Sequence, residues 1–132
     1  MTNFSSPSPN SQHYLSVTWR NSQTIPDVRF AIRRISLANR IELTRRMREL
    51  TLRYEFLKAG DTTDQLEASL SELLVQKLLI EWGLVEVNGL TINGEAGTPA
   101  NIIENGPEGL SDEIATAVRE QLGLSEEERK NS

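Results

Sequence analysis

The side chains able to do chemistry are few and poorly grouped. The one histidine, His13, borders a stretch rich in Ser, Pro and Asn and has no partner nearby in sequence to orient it, whereas a general base needs an orienting group and a water-poor site. No cysteine is present, which removes thiolate nucleophiles, disulfides and thiolate zinc sites. The 19 carboxylates form no DxDxDG-type calcium loop, and no H-E-x-x-H pair or Gly-rich phosphate cradle accompanies them. Serines occur without a G-x-S-x-G elbow. Glu126, Glu127 and Glu128 read as a solubilising helix start. The chain is therefore expected to be no enzyme, with no catalytic, metal-binding or cofactor-binding residue.

Charge offers a second kind of chemistry. Met1 to Gly60 holds ten Lys and Arg against four Asp and Glu, a net +6, and Asp61 to Ser132 four against fifteen, a net −11. Such a division suits nucleic acid on the basic side, or two halves that attract each other within or between copies. The basic cluster is Arg33, Arg34, Arg40, Arg45, Arg46, Arg48 and Arg53. It lacks helix-turn-helix spacing and an aromatic-rich sheet, and the whole chain has a pI near 4.9, so nucleic acid is the weaker expectation. No apolar run is long enough to span a bilayer, and the N-terminus does not read as a secretory signal.

These residues must be held by a small set of elements. At 132 residues the chain fits one domain with a modest core. Residues 1–13 read as a disordered Ser/Pro tail, 14–124 as a single mainly helical domain and 125–132 as a solvated C-terminal tail. Tyr14 to Trp19 alternates with Leu15, Val17 and Trp19 on one side, and Val28 to Arg33 with Val28, Phe30 and Ile32 on one side. This predicts an antiparallel N-terminal β-hairpin whose connecting loop contains Pro26.

Ser36 is a fitting N-cap for a helix from Leu37 to Ala59, stopped by Gly60. Thr62 with Gln65 makes a capping-box pattern for a second helix to about Trp82, and the short link predicts antiparallel neighbours. Glu42 with Arg46 and Glu49 with Arg53 are spaced for i,i+4 pairs. In the second helix Leu66, Leu70, Leu73 and Leu74 predict an inward face, and Val75, Leu78, Leu79, Ile80 and Trp82 then surround it and predict the centre of the core.

The pattern changes over Glu81 to Leu110, where short extended pieces are punctuated by Asn-Gly pairs. Leu84 to Ile92 reads as a tight hairpin turning at Asn88-Gly89, or as one irregular strand turning at Asn93-Gly94. Thr98-Pro99 starts a short helix. A last helix carries Leu110, Ile114, Val118 and Leu122 up to Gly123. The fold class is thus α+β, mainly α: an N-terminal β-hairpin, two long antiparallel helices, a short β-hairpin and two shorter helices.

The first helix has two apolar faces. Leu43, Met47, Leu50, Tyr54 and Leu57 make one, and Leu37, Ile41, Leu52 and Phe56 the other. The second face either meets the hairpin or is offered to a partner. Ile41, Arg45, Arg48, Leu52 and Phe56 are the candidate partner-binding residues.

The order of parts resembles the tail assembly chaperones of long-tailed bacteriophages and prophages. The likeness rests on Val28-Arg29-Phe30-Ala31-Ile32-Arg33-Arg34-Ile35-Ser36 ahead of the first helix, and on Trp82-Gly83-Leu84-Val85, Asn93-Gly94 and Thr98-Pro99 later. It implies a non-catalytic protein of the host bacterial cytoplasm that binds the tape-measure protein and helps recruit tail-tube subunits; self-association is left open by the spare apolar stripe and the complementary charged halves. A structural head-tail or tail component of the virion, and a nucleic-acid-binding regulator using the Arg-rich helix, are the alternatives.

Overall fold

The computed structural model describes residues 11–57 and 62–123, and of Tyr54, Phe56, Leu57 and Thr62 only the backbone. The element order is β1 (Val17–Asn21), β2 (Arg29–Arg33), α1 (Leu37–Leu57), α2 (Thr62–Gly83), β3 (Leu84–Ile92), β4 (Glu95–Gly97), α3 (Pro99–Asn105) and α4 (Glu108–Leu122). The strands form one antiparallel sheet in the order β1-β2-β3-β4. This is the expected α+β, mainly helical class. The expected tail at residues 125–132, residues 1–10 of the expected N-terminal tail, the Gly60 stop and the Thr62 capping side chain lie outside the described residues.

The N-terminal hairpin forms, and its two apolar alternations fall on opposite faces of the sheet. Trp19 stands opposite Ala31 and Arg20 opposite Phe30; directly opposed residues share a face, so Val17 and Trp19 lie away from Phe30 and Ile32. Phe30 and Ile32 are sealed in the core. On the other face Ala31 is buried and the Arg29 guanidinium stacks 4.7 Å from the Trp19 ring. Tyr14 and Leu15 precede the strand and are exposed.

Helix boundaries follow local chemistry. The Asn39 N–H donates to Ser36 Oγ at 3.2 Å, and the Asn101 N–H donates to the Thr98 hydroxyl at 3.1 Å with Pro99 at the first helical position. Each cap satisfies a donor that the first turn leaves without a partner. α4 ends at Gly123 in the left-handed region (φ 67°), and its Leu110, Ile114, Val118 and Leu122 are all buried. They pack with Leu43 of α1, Leu79 and Ile80 of α2 and Ile102 of α3 in one core.

Two glycines have structural reasons that the one-dimensional pattern hides. β3 runs unbroken through Asn88-Gly89 and turns at Asn93 (φ 53°) and Gly94 (φ 80°), so the tight hairpin at 88–89 is corrected in favour of the single strand. Two consecutive positive φ values make the turn that suits twisted strands. Gly89 (φ 89°) instead lets β3 pass the loop before β2, because a Cβ there would sit 2.3 Å from the Asp27 carbonyl oxygen. Gly83 ends α2 where the chain passes within 2.6 Å, measured from the same imagined Cβ, of a Val118 methyl.

The inward face of α2 also needs correction. Leu66, Leu70, Leu73 and Leu74 are exposed, and Ala68, Ser71 and Val75 are buried in their place. Small side chains let helix axes approach closely, and the buried Ser71 hydroxyl is satisfied by the Glu67 carbonyl at 3.1 Å. Further along, Leu79 and Ile80 are fully buried and Leu78 and Trp82 pack against the core in part, as expected.

Candidate partner-binding face

α1 has one buried and one open side. Leu43 is completely buried and Met47 and Leu50 pack on the core, whereas Leu37, Ile41 and Leu52 are 76%, 52% and 57% exposed. The hairpin therefore does not cover the second stripe. Ile41, Arg45, Arg48 and Leu52 fall at i, i+4, i+7 and i+11, so they share one side of the helix, and all four are exposed. Phe56 continues that spacing, but its side chain lies outside the described residues.

A second exposed stripe, on α2, comprises Leu66, Leu70, Leu73 and Leu74, 36–68% exposed. Among the described residues, seven of the ten exposed large apolar side chains belong to α1 and α2. Leu52 and Leu73 also line a shared open cleft of about 1190 Å³, with Glu55, Ser69, Asp112 and Arg119 around it. The α2 leucines were not among the expected contact residues. The signal was present as the buried alternative Ala68, Ser71 and Val75 on the same helix, but period alone cannot rank two apolar faces.

The arginines are largely occupied. Arg45 and Arg46 hold Glu42 at 3.1 and 2.9 Å, and Arg53 stands 3.9 Å from Glu67 of α2. Arg40 donates to the Leu122 carbonyl at the end of α4. Arg33 donates to the Trp82 carbonyl at 3.1 Å and lies over its ring, and Arg34 lies 5.5 Å from the Tyr14 ring. Of the seven clustered arginines only Arg48 has no such partner among the described residues. Part of the attraction between basic and acidic halves is internal: Arg20 of β1 meets Glu120 of α4 at 2.6 Å.

Away from this face, Glu113 of α4 holds the loop between β1 and β2. Its carboxylate accepts from the Ser22 hydroxyl at 2.7 Å, the Gln23 N–H at 2.5 Å and the Thr24 hydroxyl at 3.0 Å. Partial burial opposes the charge, yet these donors outweigh it and hold the carboxyl below its usual range. The group is a clamp between elements. Among the described residues no three His, Asp or Glu side chains are placed to hold a metal ion, and no helix is long and apolar enough to cross a membrane.

Comparison with protein-family models, curated proteins and solved structures finds no match for this chain.

Proposed function

We propose that this protein is a non-catalytic binding module that takes an apolar partner helix onto the open side of α1, acting as a phage tail assembly chaperone in the host bacterial cytoplasm. The observation that carries the binding reading is the exposure of Leu37, Ile41 and Leu52 on a helix whose other side already fills the core. Amphipathic helices bind in this way through anchors at three- and four-residue spacing. The resemblance supplies the client, a tape-measure protein, and tail-tube subunits as the second partner. A nucleic-acid role is less favoured, because six of the seven clustered arginines are engaged within the molecule.

The test is affinity purification of the tagged chain from its native host, with mass spectrometry of what accompanies it, beside Ile41→Asp/Leu52→Asp. Recovery of a long helical protein by the native chain and its loss by the variant, with unchanged thermal melts, supports the proposal. Salt-sensitive recovery of nucleic acid, or presence of the chain in mature virions, would replace it with the corresponding alternative.

A further inference from the structure

β1 is the longer edge of the sheet, and alternate residues along it turn their backbone groups outward. It is the first strand in the order β1-β2-β3-β4, whereas the other edge, β4, has only 3 residues. The Ser22 N–H donates to the Val28 carbonyl and the Arg34 N–H to the Ser16 carbonyl, both at 2.8 Å. Bonded and unbonded pairs alternate along an antiparallel ladder. With the observed register, Thr18 and Arg20 therefore bond to β2, while Val17, Trp19 and Asn21 turn their N–H and C=O groups to the open edge. Of these groups only the Asn21 carbonyl has a partner among the described residues, the Gln23 side-chain amide at 3.4 Å.

The devices that usually blunt such an edge are missing. β1 has no Pro, no Lys and no break in its register with β2, and its one charged side chain, Arg20, is held by Glu120.

The charge beside the edge is of one sign. Residues 11–36 hold four arginines (Arg20, Arg29, Arg33 and Arg34) against one carboxylate, Asp27, a net +3. Arg29, opposite Asn21, stacks 4.7 Å from the ring of Trp19 on the edge strand. Arg34 lies 5.5 Å from the ring of Tyr14, ahead of that strand. Neither has a carboxylate partner among the described residues, and a guanidinium stacked on a ring keeps its in-plane N–H donors for an anion.

We propose that the open edge of β1 takes an extended acidic segment of another protein as an added strand. Main-chain bonds to Val17, Trp19 and Asn21 supply the affinity, and carboxylates on the face that carries Trp19 and Arg29 supply the selectivity. Side chains alternate along an added strand, and on the opposite face Arg20 and Glu120 already neutralise each other, so the segment needs an acid only at every second position. Nucleic acid fits less well, because it has no peptide backbone to complete the ladder. The site shares no residue with the apolar stripe of α1 and is independent of the client proposed for that stripe.

The experiment is titration of the isotope-labelled full chain with a soluble synthetic peptide alternating Glu with Val or Thr, followed by backbone amide chemical shifts. Saturable shifts centred on Val17, Trp19 and Asn21 are expected, and none from the peptide with Lys in place of Glu. Arg29→Glu/Arg34→Glu should weaken binding by about tenfold. Val17→Pro removes an outward donor but no bond to β2, so it should abolish the shifts with an unchanged thermal melt; should it unfold, the arginine variant and the Lys peptide still decide. No shifts at millimolar peptide, or equal binding of the Lys peptide, overturns the proposal. Shifts with oligothymidylate and not with the peptide would assign the edge to nucleic acid, and a dimer formed through β1 without peptide would assign it to a second copy; either result overturns it.

Discussion

Replacing Glu113 by Ala should loosen the β1–β2 loop from α4 in a pH-dependent way. The carboxylate accepts from two hydroxyls and a backbone N–H within 3.0 Å. In a fully buried site each charge-assisted bond would contribute about 1.5–3 kcal/mol, but this one is partly open to water, where competing solvation reduces the sum to about 1–2 kcal/mol. For a chain of this length that corresponds to a fall in Tm of about 3–8 °C. The sign with pH follows from the depressed folded-state value. The contribution is fully present above the ordinary carboxylate range and is lost as pH falls through the folded-state value, where the native carboxyl takes up its proton. Thermal melts of native and Glu113→Ala protein at neutral pH, and again at acid pH below the carboxylate range, read both effects. Equal melts at neutral pH, or a difference that persists undiminished in acid, would refute the clamp.

Two further substitutions test the packing. Leu79→Ala, at a completely buried position, should cost about 2–5 kcal/mol by denaturant titration, whereas Leu70→Ala at a site 47% exposed should change the stability of the monomer by less than about 0.5 kcal/mol. Gly83→Ala places a methyl 2.6 Å from Val118 and should cost about 1–3 kcal/mol. Adding Val118→Ala should recover the part due to the clash, and a double variant no better than the additive sum would place the cause elsewhere.

Local rules were sufficient for the boundaries. Ser36, Thr98-Pro99 and Gly123 mark helix ends through hydrogen bonds and φ preferences that span only a few residues. The four-residue spacing of Leu110, Ile114, Val118 and Leu122 names a buried face because α4 has just one apolar side. The face of α1 centred on Ile41 was legible as a candidate for the same reason, as a stripe additional to the one the core needs.

Other features depended on which surfaces meet. The register of β1 against β2, set by pairing across the hairpin, sends Trp19 outward and Arg20 toward Glu120. Of the two Asn-Gly pairs the turn takes Asn93-Gly94, while Gly89 lets β3 pass the Asp27 carbonyl. α2 offers two apolar faces, and only its packing against α1 and α4 decides that the side with Ala68, Ser71 and Val75 is the buried one. The leucines at 66, 70, 73 and 74 are left outside. The amino-acid sequence by itself determined the elements, their ends and the main core helix faces, because those depend on neighbours within a few residues. Tertiary structure alone decided strand facing, the choice between two apolar helix faces and therefore the extent of the docking surface, because each depends on residues far apart in the chain competing for the same contact.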